Sequence, residues 1–264
     1  MCGRYVVISK ISEIEDRFGV QATGPWMPNY NIGPGTSAPV ITNDKPKELQ
    51  FFQFGLTPFW AKKRMYLFNA RAEGDHNKEN NPEYRGSLGI IKKPAFRKPI
   101  RSKRCLVIAD CFIEGTSKEK LDRPFVVHLA KGKRPFALAG IWDEWLDKDS
   151  GEIVLSFAII TTTPNKLLQK LPHHRSPVIL PRNAEQKWLD SSISLSDVKD
   201  LLKPYREGDM NAYPISTEIK NPRNNNADLL KPTGPAVLSD KKLQIEQELV
   251  LEGMGYTRSR SRGN

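Results

Sequence analysis

The strongest constraint on the fold is the way the apolar segments of this chain are joined. Six stretches of alternating or β-branched apolar residues, at 5–8, 50–56, 105–113, 124–129, 136–142 and 153–162, each read as a β-strand. Their connections are short or turn-rich, without a helix after every strand. Parallel pairing needs long crossovers, so these connections predict antiparallel strands rather than a doubly wound sheet. Helices are expected between and after the strands. Ser9 can cap a segment with Ile11, Ile14 and Phe18 on one face, and Ser194 or Ser196 can start another through Val198, Leu201 and Leu202. The class is therefore α+β. With no internal repeat and no early Gly/Ser linker, residues 1–235 read as one domain. In 236–264, Leu243, Ile245, Leu249 and Leu251 form a helical pattern leading into a Gly/Arg/Ser tail expected to be disordered.

A chain of 264 residues with 38% hydrophobic content can build a real core. No stretch approaches the roughly 18 apolar residues of a membrane span, and the first residues lack a signal-peptide run, so a cytoplasmic protein without a membrane partner is expected. The three cysteines, Cys2, Cys105 and Cys111, show no CxxC spacing, which argues against a disulfide framework or a zinc site and leaves thiol reactivity as their interest. The net charge of +11 is unevenly placed. Lys92, Lys93, Arg97, Lys98, Arg101, Lys103 and Arg104 fall in a stretch without an acid, and residues 255–264 form a second basic cluster. Such charge suits a nucleic acid, although a solvated surface with a loose tail has the same composition.

Cys2 has chemistry of its own. Aminopeptidases remove an initiating methionine before a small residue, so the mature chain is expected to begin at Cys2 with an amine and a thiol on adjacent carbons. An α-amino group with a pKa of ~7.7–8.0 is roughly a fifth to a third neutral at pH 7.4, against about one part in a thousand for a lysine. Such an aminothiol can capture an aldehyde, first as an imine and then, by thiolate attack, as a five-membered thiazolidine. The plain alternative is an incidental cysteine at a chain end.

The wider sequence resembles the SOS-response-associated peptidase family, the abasic-site processing proteins. The resemblance starts with Met1-Cys2-Gly3-Arg4 and returns at Tyr30-Asn31-Ile32-Gly33-Pro34-Gly35, Gly55-Leu56-Thr57-Pro58-Phe59-Trp60 and Asn69-Ala70-Arg71-Ala72-Glu73. It continues through Arg104-Cys105-Leu106 with Ala109-Asp110, Ala139-Gly140-Ile141-Trp142, and residues 173–180. The resemblance implies one α+β domain with a twisted antiparallel β-barrel-like core and peripheral helices. It further implies single-stranded DNA with abasic sites as the partner, a monomer, and no metal or organic cofactor.

Carried over residue by residue, the resemblance assigns the active site to Cys2, Asn69, Glu114 and His173. An asparagine amide can hold the Cys2 amine or a sugar oxygen without titrating, though it can equally end a strand. A partly buried Glu114 could carry protons during imine formation, or be a surface acid at a strand end. His173, aligned by counting back from Pro177 and preferred to its neighbour His174, could help open the sugar; both could also be turn residues. Arg4, Arg71 and Arg175 match phosphate-contacting positions, where guanidinium forks are suited, and pairing with acids is the alternative. Trp60 and Phe59 match an aromatic wedge, where a ring can replace lost base stacking, and a place in the core, where large aromatics more often sit, is the alternative. The chain departs from the family at Ala109-Asp110-Cys111-Phe112-Ile113-Glu114-Gly115, where the usual pattern is Ala-Asp-Gly-Phe-Tyr-Glu-Trp, and at Phe54, where tryptophan is usual. Two further readings of the same residues stand beside covalent capture: a cysteine hydrolase with an N-terminal thiol nucleophile, and a non-catalytic DNA-binding protein.

Overall fold

The computed structural model describes residues 3–129 and 133–238. The chain opens with β1 (Arg4–Val7), α1 (Ile11–Phe18) and β2 (Gln21–Ala22), then passes through β3 (Asn29–Ile32), β4 (Ser37–Thr42), β5 (Glu48–Phe54) and β6 (Asn69–Arg71). After α2 (Pro99–Ser102) come β7 (Arg104–Ala109), β8 (Cys111–Thr116), β9 (Lys120–Leu129), β10 (Phe136–Leu146) and β11 (Ile153–Thr162). The rest holds α3 (Lys166–Lys170), β12 (Ser176–Pro177), β13 (Ile179–Leu180), α4 (Arg182–Leu189), α5 (Leu195–Leu201) and β14 (Met210–Pro214).

The expected α+β class with a barrel-like core is what the chain forms. Strands β5, β4, β7, β10 and β11 pair in that order, and β11 returns to β5, closing a five-stranded barrel. Four seams are antiparallel. The fifth, where Ser156 faces Gln53 and Phe157 faces Phe54, is parallel. Closure leaves these strands no free edge. Phe54 and Phe157 stack inside with ring centroids 5.3 Å apart, and Tyr5 meets Phe54 edge-on at 5.4 Å.

Tyr5 belongs to a second, antiparallel sheet ordered β14, β9, β8, β1 and β3. Its residues alternate between two cores, as the period of two requires. Tyr5, Val7, Phe112 and Val127 join the barrel's core. Val6, Cys111, Ile113 and Val126 face outward into a smaller cluster with Tyr213, Ile219 and Leu230.

The apolar run at 105–113 is not one strand. It breaks at Asp110, whose carboxylate accepts the amides of Ile8 (2.6 Å) and Ser9 (2.8 Å) and the Ser9 hydroxyl (2.6 Å), so the chain turns from the barrel into the second sheet. The same contacts take Ser9 away from capping α1. Lys10 is the N-cap, and its amide donates to Glu13 (2.7 Å). Ser194 does cap α5, accepting from the Asp197 amide. Arg104, counted above among the basic surface, is 1% exposed, and its guanidinium donates to the carbonyls of Trp188, Ile100, Arg101 and Asp190. Its charge is spent on holding α4 to the barrel.

Contacts of the single compact domain run past position 235: the Val237 amide donates to Ala212 (2.7 Å) and the Leu238 amide to the Asn211 side chain (3.1 Å). The helix and tail expected further on lie outside the described residues, as does Cys2. No helix among the described residues is long and apolar enough to cross a membrane.

Candidate active site

Four elements converge on one cavity of about 480 Å³ beside the second sheet. β1 contributes Gly3, just ahead of it, and Arg4. The segment leading into β6 brings Phe68, and β6 itself brings Arg71. The β8–β9 hairpin supplies Glu114, Gly115, Ser117 and Lys120, and the loop after α3 supplies His173 and His174. Of the residues expected from sequence, Arg4, Arg71, Glu114 and His173 thus share one wall. Asn69 stands between Phe68 and Arg71, with its amide nitrogen donating to the Phe68 carbonyl (2.9 Å).

At the floor, His173 Nε2 lies 3.2 Å from Glu114 Oε2, and both side chains are 2% exposed. His173 Nδ1 lies 2.7 Å from the carbonyl oxygen of Gly115. A carbonyl only accepts, so Nδ1 carries a hydrogen and Nε2 turns toward the carboxyl. Burial pushes Glu114 up to about 7. Burial foremost pushes His173 down to about 3. Both shifts favour the uncharged forms, as desolvation dictates. Up to about neutrality the proton between the two groups therefore sits on Glu114, and His173 is a neutral imidazole that accepts it. The cavity thus holds a carboxylic acid at a pH where an ordinary glutamate has none.

Two of the departures from the family pattern, Cys111 and Gly115, affect this acid differently. Cys111 packs with Val6 and Ile113 in the outer cluster, on the opposite face of β8 from Glu114, so its bulk never reaches the cavity. Its thiol, like that of Cys105, is buried, and burial raises both. Gly115 is a close approach: a Cβ there would overlap the Lys120 carbonyl. The glycine lets the hairpin close and frees its carbonyl for His173. The amide and hydroxyl of Ser117 both donate to the Pro172 carbonyl (2.9 and 2.7 Å), which ties the His173 loop to the hairpin.

Electrostatically the wall is cationic. Arg4 is half-buried, and its guanidinium donates to Asn31 Oδ1 (2.6 Å) and the Lys220 carbonyl (3.0 Å). Arg71 makes no ion pair among the described residues. With Glu114 protonated and the histidines neutral, the cavity suits an anion. Arg175 does not join this surface. It is 1% exposed and donates to Glu73 (2.8 Å) and Thr161 (3.0 Å), so the acid-paired alternative describes it and no phosphate reaches it in this conformation. Phe59 and Trp60 sit on an exposed turn, 52% and 48% accessible, with the Lys98 ammonium 4.7 Å from the Phe59 ring centroid. Neither lines the cavity. Among the described residues no group of three His, Cys, Asp or Glu could hold a metal ion.

Sequence reasoning missed Asn31, which aims Arg4, and Glu73, which holds Arg175. Both lie inside the motif blocks that carry the family resemblance, but their partners are 27 and 102 residues away. It also set aside His174, which lines the cavity.

The family model described as SOS response associated peptidase (SRAP) matches residues 1–222. The abasic site processing protein YoaM of Bacillus subtilis is 36% identical over 241 residues, covering 87% of this chain and 97% of that one. The abasic site processing protein HMCES of Gallus gallus is 24% identical over 309 residues, covering 100% of this chain and 86% of that one. A crystal structure of a Bacteroides thetaiotaomicron protein superposes with a TM-score of 0.70 at 32% identity, over 84% of this chain and 97% of that one.

Proposed function

This chain belongs to the SOS response associated peptidase (SRAP) family, and from that membership we propose that it processes abasic sites in single-stranded DNA by bonding to them covalently through Cys2. The observation that carries the proposal is the Glu114–His173 pair in a cavity whose wall includes Gly3, the residue bonded to Cys2. A sugar that has lost its base opens to an aldehyde. The Cys2 amine adds to it, water leaves to give an imine, and the thiolate closes the thiazolidine. The hydroxyl of the carbinolamine is a poor leaving group until a proton turns it into water, and a carboxylic acid that survives to about pH 7 is suited to that step.

The other residues take roles that fit their positions. Arg4 and Arg71 face the cavity as cations for the flanking phosphates. Asn69 holds the amine or a sugar oxygen. Phe59 and Trp60 offer stacking surfaces to unpaired bases on the exposed turn. Arg175 supports the site from beneath through Glu73. The protein acts as a monomer at DNA in the cytoplasm and needs no metal or organic cofactor for this chemistry.

The test is denaturing electrophoresis after mixing the protein with a single-stranded oligonucleotide that carries one abasic site. A heat-stable shifted band with the wild type, absent with Cys2→Ala, is expected. A Cys2→Ala protein that shifts the oligonucleotide as well as the wild type removes the proposal. Peptide hydrolysis without any DNA adduct would favour the thiol hydrolase instead.

A further inference from the structure

Two imidazoles stand side by side at the cavity, with ring centroids 5.2 Å apart and planes 20° from parallel. They differ in what their nitrogens can do. His173 is buried, with Nδ1 committed to the Gly115 carbonyl and Nε2 to Glu114, so its ring presents no open nitrogen to a ligand. His174 is half-buried and lines the cavity, and neither of its ring nitrogens has a hydrogen-bond partner among the described residues. Burial, His173 and the cations Arg175 and Arg71 lower its pKa to about 4, so it is a neutral base at pH 7.

Resting on the abasic-site reading, we propose that His174 is a further catalytic residue: its imidazole, rather than that of His173, takes the proton that opens the abasic sugar. In the closed sugar the anomeric carbon carries a hydroxyl and is bonded to the ring oxygen. A His174 nitrogen accepts the hydroxyl proton, and the electron pair left on that oxygen forms the carbonyl. The bond from the anomeric carbon to the ring oxygen breaks with its pair going to the ring oxygen, which takes the proton of the Glu114 carboxylic acid. The products are the open aldehyde, an imidazolium and a carboxylate. Proton return from imidazolium to carboxylate through solvent restores both groups, and nothing is consumed. His173 accepts from Glu114 while the acid holds its proton and serves to position it.

The experiment compares wild type, His174→Phe and His174→Gln on two single-stranded oligonucleotides, one with the cyclic abasic sugar and one with an acyclic aldehyde in its place. Phenylalanine keeps the stack on His173 without a nitrogen, and glutamine keeps hydrogen bonding without basicity. Both variants should crosslink the cyclic sugar roughly 10²-fold more slowly than wild type. Most of that deficit should vanish on the acyclic aldehyde, which has no ring to open. His174→Phe at the wild-type rate on the cyclic sugar overturns the proposal, as does an equal deficit on both substrates. If the wild type crosslinks neither oligonucleotide, the abasic-site reading itself fails and takes this proposal with it.

Discussion

Replacing Glu114 by glutamine tests whether the cavity stores a proton. The folded pKa of Glu114 is raised from 4.5 to about 7, so between those values the folded protein holds a proton that the unfolded chain has lost. Stability then falls as pH rises through that window, by about 3 kcal/mol in all at ~1.4 kcal/mol per unit. His173 acts in the opposite sense. Its pKa is lowered from 6.5 to about 3, so the unfolded chain binds the extra proton and stability rises with pH between those values. The two slopes nearly cancel from about pH 4.5 to 6.5. Glutamine resembles the protonated acid and cannot titrate, so the variant keeps only the rising slope. The difference in unfolding free energy, variant minus wild type, should therefore grow by about 3 kcal/mol from pH 4 to pH 8, a large share of the total for a domain of this kind. Urea unfolding of both proteins at several pH values reads it directly, provided the m-value is unchanged. Parallel curves across the range would mean that Glu114 titrates alike in the folded and unfolded chain and is ionised near neutral pH, and the acid assigned to imine formation would not exist there.

Gly115→Ala forces a methyl group against the Lys120 carbonyl, so it should cost about 1–3 kcal/mol in urea unfolding and slow crosslinking by moving the carbonyl that holds His173; unchanged values for both would show the hairpin to be slack. Glu73→Gln leaves a buried guanidinium without its counter-charge and should cost about 3–5 kcal/mol, a fall in melting temperature of more than about 6 °C; a shift under a degree or two would mean that Arg175 finds solvent or phosphate instead. Arg4→Ala and Arg71→Ala should each weaken single-stranded DNA binding without sequence bias and flatten the dependence of log affinity on log salt by about 1. Unchanged slopes in a fluorescence-anisotropy titration would take both out of the interface.

The strands could be read from sequence because β-pairing leaves a local signature. The near-continuous apolar, β-branched runs at 124–129 and 153–162 are the direct trace of burial on both faces in β9 and β11. The parallel β5–β11 seam left no such trace, since it depends on where the barrel closes rather than on either strand's pattern. Asp110 sits in an apolar run and looks like an interruption; only its three donors from Ile8 and Ser9 show that it turns the chain. Strand parity could have settled Cys111 in advance, since it lies three residues from Glu114 and so on the other face of β8. Charge was the least legible property. Arg104 and Arg175 look like surface cations in sequence, and both are buried because carbonyls or an acid from distant segments receive them. His174 was set aside in favour of His173 by alignment, and no pattern in the sequence says which of two adjacent imidazoles has its nitrogens occupied.

The amine and thiol of Cys2 together should form the bond to the lesion, and intact mass spectrometry of the product shows whether they do. The expected species equals the protein lacking Met1 plus the abasic oligonucleotide minus one water, with the adduct on the N-terminal peptide and none formed when the α-amine is acetylated. An adduct on an internal lysine, or an acetylated protein that crosslinks as fast as the free one, would contradict it.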